Sequence, residues 1–373
     1  MSSPFRVAAV AVAWVAAVAL ASPAQTRAAQ PAPQQAAATS AQDATPAAAA
    51  ASSDPAGLYK QHCAACHEGG VPRAPHSVKF QMMGPRAILT SLESGVMKAQ
   101  GDALTPAQRR SLAEFLGGAA LPTVAAAQMP RCDARRARFD FDRPPPLAGW
   151  GLTPQGTRFV DARVAGLAER DVPRLAPKWA FAFPGATRAR SQPTVGGGAL
   201  YVGSQDGTVY ALDFDTGCVR WSFAAAAEVR VSPTLEPWRT GDRRAQPRLW
   251  FGDFDGNAYA LDARTGALLW KTRVDEHPHL TITGSPRHHD GRLYVPMSSR
   301  EWAAAADPAY ECCSFRGGVV ALDAATGTVA WRSYTIPEEP RATGAKNSAG
   351  ALRRHPAGAP VWNSPTIDAQ RRR

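Results

Sequence analysis

The sequence predicts a small all-α domain followed by all-β propeller blades, and three observations carry that prediction. Residues 54–121 hold helix start and stop signals around the run Cys63-Ala64-Ala65-Cys66-His67. Beyond residue 121 the chain turns to short alternating segments broken by Asp-Gly and Thr-Gly turns, the pattern of successive β-strands. There the motif Ala-x-Asp-x-x-Thr-Gly-x-x-x-Trp occurs three times, ending at Trp221, Trp270 and Trp331, with spacings of 49 and 61 residues. Each copy follows an alternating strand such as Leu200-Tyr201-Val202-Gly203 and a turn such as Asp206-Gly207. Four short strands per unit is the arithmetic of a propeller blade, and about three and a half blades are present. The Asp-x-x-Thr-Gly stretch reads as a tight turn between the last two strands, with the tryptophan packed between neighbouring blades.

The elements follow in order. Residues 1–21 read as an export signal, with Arg6 before an apolar run from Val7 to Ala21 that ends on small residues. The run is too short to span a bilayer, so no stable membrane insertion is expected after cleavage. Residues 22–53 are almost wholly Ala, Gln, Pro, Ser and Thr and cannot bury enough apolar surface to offset ordering entropy, so they read as a disordered linker. Asp54-Pro55 is an N-cap followed by proline at the first helical position; the short helix it opens presents both cysteines.

A Cys-x-x-Cys-His run is the attachment signature of a c-type haem. Cys63 and Cys66 would form the thioethers and His67 would ligate the iron from one face. A zinc half-site would need a second Cys or His pair, and none follows nearby. Further helices are predicted from Arg86 to Ser94 and from Thr105 to Leu116, the latter with Thr105 as N-cap, Gln108 at the capping-box position and a Gly117-Gly118 stop. Residues 54–121 thus form a class I cytochrome c domain. Met97, on a loop before the last helix, is best placed as the second axial ligand; Met82 and Met83 are the alternatives, and Met129 falls beyond the last helix. Haem attachment takes place outside the cytoplasm, and six cysteines suit an oxidising compartment. A soluble periplasmic protein satisfies both.

Residues 122–175 read as linker and propeller entry and residues 176–373 as a partial propeller. The net charge of +11 is spread over many arginines, including Arg371-Arg372-Arg373, and reads as solvated surface; no nucleic-acid partner is expected. An acidic redox partner fits the charge.

The repeat resembles that of the quinoprotein dehydrogenases, eight-bladed propellers that hold pyrroloquinoline quinone (PQQ) and calcium on the axis. Thr281-Ile282-Thr283-Gly284-Ser285-Pro286 matches a Thr-x-Thr-Gly-Ala-Pro element whose threonine contacts the quinone. Ser298-Ser299 matches a Ser-Ser pair, Arg230 stands at the place of a cofactor-binding arginine, and Trp362 matches the tryptophan that floors the quinone ring. In these enzymes adjacent cysteines form a disulfide that stacks on PQQ. Cys312-Cys313 resembles that pair but lies after the Thr-x-Thr-Gly element. The resemblance makes Glu301 the candidate calcium ligand, with Glu311 as the alternative, and places the general base past Arg373, as in the N-terminal part of a longer enzyme. A cytochrome ahead of the propeller is similar to the order in the polyvinyl alcohol dehydrogenase (cytochrome) group. A disulfide between Cys132 and Cys218, tying the linker to the first blade, is a further expectation.

What the resemblance implies is oxidation of a secondary alcohol, with electrons passed to haem c and on to a downstream respiratory acceptor. Two other readings stand beside it: a propeller that serves as a protein-binding scaffold, and an electron-carrier cytochrome with a non-catalytic propeller.

Overall fold

The computed structural model describes residues 54–68, 71, 74–121, 129–146, 149–152, 157–184, 186 and 188–371. The export signal and linker expected over 1–53 lie outside the described residues. None of the described helices is long and apolar enough to cross a membrane.

The helical part runs α1 (Pro55–His62), α2 (Ala64–His67), α3 (Phe80–Met83), α4 (Pro85–Glu93), α5 (Lys98–Gly101) and α6 (Pro106–Gly117). Its ends obey local chemistry. Asp54 accepts the amides of Ala56 and Gly57, and Thr105 and Gln108 form a reciprocal capping box. Gly118 ends α6 in the left-handed region at φ +67°, where a side chain would be strained. Leu58, Phe80, Ile88, Leu92, Leu104, Leu112, Ala113 and Leu121 make one core. Helix α7 (Ala162–Ala165) lies in the connecting segment.

Two four-stranded antiparallel sheets follow, in sequential order: β1 (Thr194–Gly196) to β4 (Val219–Ala224), and β5 (Thr234–Leu235) to β8 (Leu268–Arg273). The third sheet runs β10 (Arg287–His289), β11 (Arg292–Ser299), β12 (Gly318–Asp323) and β13 (Val329–Tyr334), with β9 (Leu280–Thr281) paired to β11. Helix α8 (Glu301–Ala304) follows β11, and β14 (Arg341–Lys346) with β15 (Leu352–His355) forms an exposed hairpin. Four strands per repeat is what the sequence pattern predicts.

The repeated motif has a packing explanation. In each sheet its alanine faces its tryptophan across the last two strands: Ala211 with Trp221, Ala260 with Trp270, Ala321 with Trp331. The aspartate holds the turn; Asp213, for example, accepts the Thr216 amide and hydroxyl. The glycine then leaves a flat seat for the tryptophan of the preceding blade. A Cβ at Gly266 (φ +76°) would stand 2.7 Å from Trp221, and one at Gly327 (φ +74°) 2.6 Å from Trp270. Both indoles also donate across the joint, Trp221 to the Ala263 carbonyl (3.1 Å) and Trp270 to that of Ala324 (3.2 Å). Trp179 seats on Gly217 in the same manner, ahead of the first sheet. A disulfide joins Cys132 to Cys218 and ties the entry segment to the start of β4.

A second repeat, missed in the sequence, stitches the inner edges. Ser-Pro steps recur at Ser232-Pro233, Ser285-Pro286 and Ser364-Pro365. The Ser232 amide donates to the Ser285 hydroxyl (2.8 Å) and the Ser285 amide to the Ser364 hydroxyl (2.8 Å). Thr194 and Thr234 donate to the Pro233 and Pro286 carbonyls, each at 2.6 Å.

Candidate functional site

Cys63 ends α1 and α2 carries Cys66 and His67, so both thiols and the imidazole fall on two consecutive turns. Neither cysteine is in a disulfide, and burial raises the Cys63 pKa, with Cys66 adding to it. His67 is 5% exposed. Its Nδ1 lies 2.7 Å from the Pro75 carbonyl; that bond places the proton on Nδ1 and leaves the Nε2 lone pair free to ligate a metal, with the carbonyl fixing the ring's orientation. Phe80 meets the imidazole edge-on at 5.0 Å. Sulfur, nitrogen and apolar wall fit a covalently held haem. Met97 packs against the same core as Cys63, whereas Met82 and Met83 line a cavity on the propeller side. Met129 packs with the first sheet.

That cavity, of about 1040 Å³, lies between the helices and the blades. Pro75, Lys79 and Met82 line one side, and Glu228, Phe254, His279, Arg300 and Tyr310 the other. Arg230 stands behind this wall, its guanidinium 5.3 Å from the Phe254 ring, with Arg300 at 5.4 Å from the same ring. Burial, then Arg190, depresses the Arg230 pKa, while Glu228 pairs with Arg188 (3.5 Å) and Arg190 (3.9 Å). Surplus half-buried cation suits an anionic ligand such as a quinone carboxylate.

Thr283 donates to the Trp362 carbonyl (3.4 Å), and the Trp362 ring is 53% exposed. Ser298 faces Thr281 across β9 and β11, and both hydroxyls are buried with no hydrogen-bond partner. Unpartnered buried hydroxyls carry spare hydrogen-bonding capacity that a polar ligand could use. Cys312 and Cys313 form a vicinal disulfide, held against β15 by two backbone bonds to Arg354. The structure therefore brings Thr283 and Trp362 together, sets Arg230 beside Arg300, and leaves the disulfide on a separate loop. Arg230, Thr283, Ser298, Trp362 and the disulfide do not line the cavity itself.

Glu301 departs from the expectation of a calcium ligand. It is 5% exposed. Its Oε1 accepts from Tyr310 (2.9 Å), the Ser314 amide (2.6 Å) and the Ser314 hydroxyl (3.2 Å), and its Oε2 accepts from the Phe315 amide (3.1 Å). A carboxylate so saturated by donors anchors the loop after Cys313 instead of presenting free oxygens, so the residues do not fit calcium here. Glu311 pairs with Arg354 at 2.9 Å. Among the described residues no group of three or more His, Cys, Asp or Glu side chains could hold a metal ion.

Sequence reasoning missed Pro75, Phe80, Lys79, Arg188, His277 and His279. The histidines fall in one short run, His277-Pro278-His279, which was the available signal.

A family model described as outer membrane protein assembly factor BamB (PQQ_2) matches residues 134–367, and one described as cytochrome C oxidase, cbb3-type, subunit III matches residues 50–116. A polyvinylalcohol dehydrogenase from a Pseudomonas species is 38% identical over 85% of this chain and 51% of its own length. The polyvinylalcohol dehydrogenase of Sphingopyxis is 36% identical over 84% of this chain and 50% of its own. The chain thus spans about half the length of these curated relatives. The crystal structure of quinohemoprotein alcohol dehydrogenase from Comamonas testosteroni is 22% identical over 66% of this chain and 37% of that one, with a TM-score of 0.45. The match over residues 134–367 makes the chain a member of the PQQ_2 family.

Proposed function

We propose that the chain serves a periplasmic, PQQ-dependent oxidation of secondary alcohols, polyvinyl alcohol among them, and passes the electrons to its own haem c and then to a one-electron respiratory acceptor. One observation carries this reading: a haem-attachment motif with a buried, oriented histidine and blades matched by the PQQ_2 model sit in one chain, and the helical part that holds the motif lines one cavity together with the blades. When bound, PQQ supplies a two-electron oxidant and haem c a one-electron carrier.

The chain's own residues supply binding and orientation. Arg230 would hold a cofactor carboxylate, with Thr283 and Ser298 donating to polar oxygens and Trp362 offering an exposed ring for stacking. The vicinal disulfide of Cys312 and Cys313 adds a flat, polarisable surface on a loop pinned by Glu301. His67 and Met97 would hold the haem iron, a nitrogen and sulfur pair that would raise its potential relative to two histidines. Calcium on Glu301 is not part of the proposal.

The scaffold reading draws on the BamB description of the blade model, but a haem turn has no task in a scaffold. The test is a PQQ titration of the haem-loaded protein, alone and as Arg230→Gln, followed by alcohol oxidation with an artificial electron acceptor. Saturable PQQ uptake, about tenfold weaker in the variant for one lost charge-assisted pair, with turnover of a secondary alcohol, is the expected result. Absence of PQQ uptake would leave the electron-carrier reading.

A further inference from the structure

Residues 79–82 touch both halves of the molecule. Lys79 Nζ lies 3.4 Å from Nδ1 of His279, on the blade side of the cavity. The next residue, Phe80, stands edge-on to the His67 imidazole at 5.0 Å. Two residues further, the Met82 carbonyl accepts from Arg188 Nη2 at 3.2 Å, and the same guanidinium nitrogen reaches Glu228 at 3.5 Å. On the far side, His279 packs edge-on to Tyr310 (5.5 Å) and beside His277 (5.7 Å), and Tyr310 donates to Glu301. A continuous series of polar and aromatic contacts thus runs from the loop after the vicinal disulfide to the histidine of the haem motif. Its two polar fasteners, Lys79 with His279 and Arg188 with the Met82 carbonyl, flank Phe80.

We propose that the segment Lys79–Met82 is the bridge by which electrons leave the propeller, with Lys79 and Arg188 as positioning residues that hold Phe80 and the haem domain against the blades. The inference rests on the reading that electrons pass from blades to haem. Each alcohol oxidised releases two electrons and two protons; the iron goes from ferric to ferrous by one electron at a time and returns it to the respiratory acceptor, and the protons leave to cavity water. Burial and the Lys79 charge lower the His279 pKa to about 4, so near neutral pH the imidazole is uncharged and Nδ1 can accept from the lysine.

The test uses the haem- and PQQ-loaded protein, as parent, as Lys79→Met with Arg188→Ala, and as the conservative Lys79→Arg. Hydrogen exchange of the amides of residues 79–83 reports docking. Haem reduction by a secondary alcohol reports the bridge, and haem reduction by ascorbate reports the haem site alone. In the double variant the amides exchange faster and alcohol-driven haem reduction slows, each by about tenfold for the loss of a coupled pair. Ascorbate reduction is unchanged, and Lys79→Arg recovers most of the loss. Unchanged exchange in the double variant overturns the docking role, and unchanged alcohol-driven reduction with faster exchange overturns the bridge. If alcohol never reduces the haem of the parent, the proposed function falls, the bridge falls with it, and the exchange arm alone decides the docking role.

Discussion

The joints between blades and the joint between blades and haem domain are built from opposite materials. Between blades an indole lies flat on a glycine turn, and Trp221 and Trp270 are each only 8% exposed. Between domains the fasteners are hydrogen bonds from Lys79 and Arg188 across a cavity wall. Apolar burial is worth about 25 cal/mol per Å², whereas a half-exposed polar contact contributes about 0–1 kcal/mol. Stability therefore lies in the blade joints, and the domain joint sets orientation. Trp331 sharpens the contrast: it occupies the same place in its blade but is 42% exposed, with no glycine turn seated on it among the described residues. The motif makes the tryptophan available, and the neighbouring turn buries it.

The largest expected effect separates those tryptophans. Trp270→Ala should cost about 3–5 kcal/mol, the usual range for a buried aromatic, and Trp331→Ala under about 1 kcal/mol. Urea midpoints measure both, and equal losses would break the joint account. Next comes the seat. Gly266→Ala must accept a φ of +76° and a Cβ 2.7 Å from Trp221, whereas Gly350→Ala faces φ +85° with nothing within 4 Å. Left-handed strain costs about 1–2 kcal/mol and overpacking adds about 1–3 kcal/mol, so the first variant should lose clearly more stability than the second.

The smallest effect belongs to the polar joint. Burial, with Lys79 adding to it for His279, lowers the pKa of His279 to about 4 and moves that of His277 in the same direction. Unfolding returns both toward about 6.5, so between about pH 6.5 and 4 the unfolded chain binds more protons than the folded one. Stability should therefore fall as pH drops through that window. His279→Gln should flatten part of the slope in urea midpoints taken at pH 7.5, 6 and 5; an unchanged slope would remove His279 from the joint.

Much of this was legible in the sequence because its signals are local. The capping residues Asp54, Thr105 and Gln108 and the threefold Asp-x-x-Thr-Gly turn each specify structure within a few residues, and each appears where expected. The disulfide expected between Cys132 and Cys218 is present as well. What stayed hidden depends on distant pairing. Lys79 and His279 are 200 residues apart with no sequence trace of their pairing, and the Ser-Pro rungs join residues 53 and 79 positions apart, a recurrence too short and too unevenly spaced to stand out. The donors that saturate Glu301 come from the irregular loop that holds Tyr310, Ser314 and Phe315, a segment with no spacing pattern to signal them.

The central claim, that alcohol oxidation at the blades feeds the haem of the same chain, is tested most directly by an anaerobic single turnover. The protein loaded with PQQ and ferric haem is mixed with a secondary alcohol while the haem absorbance is followed. The account predicts ferrous haem at a rate independent of protein concentration, and only with both PQQ and alcohol present. Haem that stays ferric while the alcohol is oxidised, or a reduction rate that scales with protein concentration, would contradict it.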